Sequence, residues 1–230
     1  MKLSVRVPLL IGLVVLATSG AIALFALRIS TSTLTNSVVN ALFAENEANA
    51  KIMDTYLNGE ANILYEIANR PRIRTLNWDI VRGDLLSEVE RLEVMELGLM
   101  LPDGTYRAVV TNDVSNGADR DYFKKAMKGE INIDIIVSRV TGEPVFMFAA
   151  PIYQSNENNA PIIGVLVAQL DGIHYLTDIL VNNLKVSMPS GYCYIMDISS
   201  GQGTMIAHQN RDMVKNRFTP EEEAKKNPEY

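Results

Sequence analysis

The sequence predicts an α+β protein in which a membrane-spanning helix and a long amphipathic helix precede an antiparallel sheet flanked by shorter helices. Three observations carry that prediction. An apolar run without charges opens the chain, apolar residues at helical spacing follow it, and from Val94 onward the period shortens to that of strands separated by turn formers. With 230 residues, 47% of them hydrophobic, there is enough apolar surface for one large domain or two small ones. The net charge of -6 at pH 7 excludes a sequence-independent grip on nucleic acid, which needs clustered Lys and Arg. Cys193 is the only cysteine, so no disulfide framework or Cys-rich zinc site is expected.

The opening run, "VPLLIGLVVLATSGAIALFAL" from Val7 to Leu27, holds 21 residues without a charge, close to the roughly 20 a helix needs to cross the hydrocarbon core. Secretory signals usually stop at about 7–15 apolar residues. Here the run continues past "ATSGA" to Leu27, which favours an uncleaved anchor at residues 7–27. Lys2 and Arg6 precede it and Arg28 alone follows closely, a bias that puts residues 1–6 in the cytoplasm and everything after Arg28 outside. In the segment 28–70, Leu34, Val38, Leu42, Ile52, Tyr56, Ile63 and Ile67 keep helical spacing and predict one helix from about Ile29 to Ala68, ended before Pro71. At 1.5 Å per residue such a helix is roughly 60 Å long. It can carry displacement between a distal domain and the bilayer, while its apolar stripe packs on its own domain or on a dimer mate.

A second amphipathic helix is predicted over Trp78 to Leu92. Two short apolar runs then flank "PDGTY", where Asp103 and Gly104 supply hairpin chemistry. The stretch "ADRDYFKKAMKGE" reads as a short helix with Asp119 as N-cap and Gly129 as its stop. The runs "INIDIIVSR", "EPVFMFAAPIY" and "IIGVLVAQL" are separated by the turns "VTGEP" and "QSNENNAP", and the helix "GIHYLTDILVNNLKV" closes the unit. Residues 71–188 thus form a module with one antiparallel sheet of about five strands. Met95, Leu99, Met100, Met147 and Phe148 read as its core. Then "GYCYIMDISSGQGTMIAHQN" repeats the pattern of strand, Gly-containing turn and strand. Residues 189–230 are expected to begin a second, related module, and the chain to be the N-terminal portion of a longer protein.

In order and spacing, "DRDYFKKAMKGE", "SRVTGEPVFMFAAPIY", "IIGVLVAQLDGIHYL" and "GYCYIMDISSGQGTMIAHQN" resemble the double Cache sensor domains of bacterial chemoreceptors and related transmembrane signalling proteins. The closing "FTPEEEAKKNPEY" is similar to a segment of that family's membrane-proximal module. The resemblance implies two PAS-like modules on one long helix, with a small ligand held in the membrane-distal one, and sensing in place of catalysis. In amino-acid-binding members, an arginine precedes an aromatic pair, a tyrosine and an aspartate precede the "TG" turn, and an aspartate lies on the strand that starts with "GV". Arg120, Tyr122 and Phe123 match the first part. Counting back from Thr141 and Gly142 puts Ile136 and Ser138 at the next positions, and counting forward from Gly164 and Val165 puts Gln169 at the last.

These departures have a chemical meaning. A desolvated ammonium needs an anionic partner, and two carboxylates that would serve are replaced. Arg120 still offers a planar fork suited to a carboxylate. The expected ligand is therefore a small carboxylate with no required amine, met by Arg120, Tyr122, Phe123, Ser138, Arg139, Gln169 and Asp171. Arg139 beside the "TG" turn adds positive charge, and Asp171 is placed to pair an arginine or to cap the following helix. Phe123 also fits a core position, whereas the hydroxyl of Tyr122 needs a partner if buried. A buried Gln169 amide would have to be satisfied in an otherwise apolar strand, unless that residue faces water.

No catalytic residue, metal site or cofactor is expected, because His174 and His208 lie in different modules without ligand-like spacing, and nucleotide-binding and nucleophile motifs are missing from the sequence. With the apolar anchor, the resemblance implies a cell-membrane protein with an extracytoplasmic sensor, forming a homodimer and serving as the input region of a methyl-accepting chemotaxis receptor. The alternatives are the same sensor coupled to a diguanylate cyclase or histidine kinase, and a membrane-anchored binding or adhesion protein without signalling.

Overall fold

The computed structural model describes residues 3–137, 144–184, 193–198, 203–216, 218–219, 221 and 225. The chain divides into two compact units, residues 1–50 and residues 51–230. In the first, the chain is helical from Leu3 and belongs to α1 (Leu3–Ala68). Large apolar side chains such as Leu16, Ile22 and Phe25 are exposed there, and an 18-residue stretch of mean hydropathy 2.0 makes the helix long and apolar enough to cross a membrane.

In the second unit α1 ends at Ala68, just before the Pro71 that cannot continue its hydrogen-bond ladder. A 3₁₀ turn (Ile73–Thr75) follows, closed by Leu76 in the left-handed region at φ 52°. Next is α2 (Trp78–Leu92), with the bounds its apolar periodicity predicts. Its N-cap is Asn77, whose side chain accepts from the Asp79 N–H, and Glu93 at φ 53° ends it.

Six strands make one antiparallel sheet: β1 (Glu96–Met100), β2 (Thr105–Ala108), β3 (Val114–Asn116), β4 (Asn132–Val137), β5 (Pro144–Tyr153) and β6 (Ile162–Asp171), in the spatial order β3-β2-β1-β6-β5-β4. The β1–β2 turn needs Gly104 at φ 82°, and the Asp103 carboxylate accepts from the Thr105 N–H at 2.9 Å. The sheet has one strand more than the sequence expects. β3 is short, exposed and carries a single apolar residue, so no alternation marks it. Between β3 and β4 lies α3 (Asp121–Ala126), and α4 (Gly172–Asn182) follows β6.

Alternation along the strands sorts the sheet into two faces. Leu97, Leu99, Phe146, Phe148, Ala150, Ile152, Leu166, Ala168 and Leu170 face the helices and form the main core with Ala61, Leu64 and Ile67 of α1, Val81 and Leu85 of α2, and Leu176 and Leu180 of α4. Burying one such Phe or Leu stabilises the fold by about 1.5–3 kcal/mol relative to leaving it exposed. The opposite face holds a smaller cluster of Met100, Val145, Met147, Ala149, Val165 and Val167 under Tyr122, Phe123 and Ala126 of α3. Met95 is a correction to the expected core. It sits just before β1, where its N–H still reaches the Gln169 carbonyl while its side chain stays 48% exposed.

The second strand–turn–strand appears as the small antiparallel sheet of β7 (Tyr194–Asp197) and β8 (Thr204–His208), followed by α5 (Arg211–Lys215). His208 is buried, and its Nδ1 accepts from the Asn210 N–H at 2.9 Å, which gives that histidine a structural task.

Candidate functional site

The candidate site is the sheet face beneath α3. Before that helix, the Asn116 side chain accepts from the Ala118 N–H, and the Arg120 N–H closes a turn on the Gly117 carbonyl at 3.0 Å. The helix therefore starts one residue later than expected. Arg120, not Asp119, occupies the N-cap position, with extended backbone (φ -72°, ψ 136°) and no side-chain cap. That placement turns Tyr122, Phe123 and Ala126 onto the sheet. Asp121 stays outside, 3.4 Å from Lys124.

Gly117 marks how closely the parts meet. A Cβ there would lie 2.9 Å from Met100 Cε, 3.6 Å from the Tyr122 hydroxyl and 3.7 Å from Arg120 Cγ. Arg120 and Tyr122 thus enter the site together beside Met100. Arg120 is half-buried, and its guanidinium makes no hydrogen bond or ion pair among the described residues. Phe123 is 5% exposed and belongs to the apolar cluster.

Gln169 shares the face, because it follows Val165 and Val167 at strand spacing, and it pairs with Met147 on one side and Glu96 on the other. Its rung is the far end of the site. Met100 pairs with Val165, four residues from Gln169, which is about 13 Å along the strand. The structure therefore brings Arg120 and Tyr122 together and puts Gln169 at a distance from them. Asp171, opposite Val145, lies on the same face one step beyond Gln169. Ser138 and Arg139 lie outside the described residues, as does the "TG" turn, and the His174 side chain is not described either.

Three polar residues of this face were not singled out in the sequence. Glu96 is 9% exposed, and its two carboxylate oxygens accept from the Val110 N–H at 2.7 Å and the Thr111 N–H at 3.2 Å, tying the loop after β2 to β1. Tyr106 lays its ring against Gly98, where a Cβ would fall 2.0 Å from the ring. Burial pushes its phenol well above the ordinary tyrosine range, with Glu96, Tyr122 and Asp113 adding to the effect, so it stays a hydrogen-bond donor. Asp134 pairs with Met147 in register, on the Gln169 rung, and has no ion-pair partner among the described residues. With Asp171, Glu96 and Asp134 put three carboxylates on the face that the sequence appeared to strip of them. The signal that could have found them is strand parity, since Asp134 shares a face with Ile136 and Glu96 with Gly98 and Met100.

A sequence profile of the Cache domain matches residues 25–227. No curated protein matches the chain. Among solved structures, the fold is similar to the sensory domain of the Campylobacter jejuni chemoreceptor Tlp3 with isoleucine bound, at 15% identity and a TM-score of 0.59, covering 85% of this chain and 82% of that one. It is similar to the ligand-binding domain of the Pseudomonas fluorescens chemoreceptor CtaA in complex with L-serine, at 17% identity and a TM-score of 0.55, covering 78% and 74%. The ligand-binding domain of the Pseudomonas aeruginosa amino acid chemoreceptor PctC, in complex with GABA, has 18% identity and a TM-score of 0.53, covering 82% of each chain. At these identities the likeness is one of fold.

Proposed function

The chain belongs to the Cache domain family, and on that footing we propose that it is the extracytoplasmic sensing region of a membrane-anchored, homodimeric chemoreceptor that binds a small carboxylate. The observation that carries the ligand class is Arg120, half-buried, whose guanidinium has no hydrogen-bond or ion-pair partner among the described residues and whose Cγ lies near the Tyr122 hydroxyl around Gly117. A planar fork of this kind pairs with a carboxylate through two charge-assisted hydrogen bonds. The chemoreceptor reading draws its support from the solved neighbours, whose ligands are amino acids or GABA. Ligand binding favours one of two arrangements of sheet and long helix. The bias cannot exceed the ligand's difference in affinity for them, and a tenfold preference is about 1.4 kcal/mol.

Asp134 favours a second reading of the ligand. An extended ω-amino carboxylate would set its carboxylate at Arg120 and its ammonium toward the rung of Asp134 and Gln169.

Thermal shift of the purified full chain in detergent, with carboxylates, amino acids and amines, tests both. A ligand at 100 times its Kd stabilises the fold by about 2.7 kcal/mol. Stabilisation by small aliphatic carboxylates should vanish in Arg120→Ala. Its full retention there removes Arg120 from the site, and stabilisation by amines alone removes the carboxylate. Asp134→Asn should weaken only the ω-amino compounds; equal weakening of simple carboxylates rejects the second reading.

A further inference from the structure

Away from the α3 face, a cleft of about 630 Å³ opens between the end of α1, the residues around the 3₁₀ turn and the β5–β6 loop. That is the size range of small-molecule sites. Asn69 builds its floor. Its amide donates to the carbonyls of Tyr65 at 2.9 Å and Pro151 at 3.2 Å, and its oxygen accepts from the Tyr153 N–H at 3.1 Å and from Arg74 Nη2 at 3.3 Å. Tyr65 and Tyr153 meet edge to face at 6.3 Å and give the cleft an aromatic wall.

Three arginines stand at this end of the fold, and they are not treated alike. Arg70 is 2.7 Å from Glu88, and Arg72 holds Asp84 through two hydrogen bonds. Arg74, half-buried in the cleft lining, meets only the amide oxygens of Asn69 and Asn156, and no carboxylate lies within ion-pair distance among the described residues. Its Nε is buried and makes no hydrogen bond, and its Nη1 has no partner among the described residues. The glutamates of the lining, Glu66 and Glu157, are both exposed and solvated. A guanidinium held by neutral amides, with a buried N–H left over, carries an uncompensated charge.

We propose that this cleft is a second ligand site, separate from the α3 face, that takes a small aromatic carboxylate. The carboxylate completes the Arg74 guanidinium, and the ring packs on the wall of Tyr65 and Tyr153. Such a ligand joins the end of α1 to the central hairpin of the sheet. Tyr153 also reaches toward the other site, since its hydroxyl lies 3.1 Å from where a Cβ on Gly129, just after α3, would stand.

The test uses the full chain in detergent, benzoate as probe and benzamide as its neutral counterpart. In an Arg120→Ala background the α3 face is disabled, so the remaining benzoate response belongs to the cleft. Millimolar benzoate should still raise the melting temperature there, benzamide should not, and adding Arg74→Gln should weaken benzoate affinity at least tenfold. Asn156→Asp is the second variant. It supplies Arg74 with a carboxylate at an existing contact and should abolish the response without loss of fold, even where Arg74→Gln fails to fold. A response missing in Arg120→Ala, one that survives both cleft variants, or one that benzamide matches overturns the proposal.

Discussion

The two faces of the six-stranded sheet are made by the same strands and differ in what they are asked to do. On one face, every inward residue of β5 from Phe146 to Ile152 is apolar and fully buried under α1, α2 and α4. On the other, the same strand offers Val145, Met147 and Ala149, while β4 adds Asp134, β6 adds Gln169 and Asp171, and β1 beyond it adds Glu96. Among the described residues, the cover there is one short helix. A face packed only with hydrocarbon has no chemistry left for a ligand, and a thinly covered face with polar groups is poor ground for stability. The sheet separates the two demands by alternation, so that one strand serves both.

That contrast can be broken at graded cost. Phe146→Ala on the packed face should cost about 3–5 kcal/mol in chemical denaturation, because Phe146 is buried against Phe148 and Tyr175. A loss below 1 kcal/mol would mean that this face is not the main core. Gly98→Ala should cost about 1–3 kcal/mol, since the added methyl meets the Tyr106 ring. In a Tyr106→Ala background the same change should be nearly free, and a double-mutant cycle reads the difference. Asp134→Asn should change stability by no more than about 0.5 kcal/mol, as the carboxylate has no ion pair among the described residues to lose. A large loss there would make Asp134 a structural group and weaken its claim on a ligand.

How much of this was legible in the sequence follows from the range of the interactions involved. The second helix could be bounded at Trp78 and Leu92 because its amphipathic periodicity is local, and the structure adds the Asn77 cap and the Glu93 stop. The antiparallel sheet was legible from alternation and turn residues, apart from β3, which is too short and polar to alternate, and its PAS-like character was implied by the resemblance alone. The site was less legible. Arg120 and Tyr122 could be singled out through a resemblance, and their closeness depends on the turn at Gly117. Strand parity could put Glu96 and Asp134 on the faces of Met100 and Ile136, but their sharing a rung with Gln169 is a matter of register across three strand pairings, which no local pattern fixes. Asp119 gave way to Arg120 as N-cap for a similarly geometric reason, the preceding turn.

Asn69 has a further consequence, for how this fold can be altered. The β5–β6 pairing runs in register from Val145 to Ile152 and shifts between Ile152 and Tyr153, and the one side chain of Asn69, just past the end of α1, fastens the strand on both sides of that shift. Past the clasp, residues 154–161 are mostly exposed and joined to the sheet by few hydrogen bonds. A loop closed this way can be lengthened or exchanged at small entropic cost, about 0.6 kcal/mol for each doubling of its length. It is the place to graft a foreign peptide onto this protein while the sheet keeps its register.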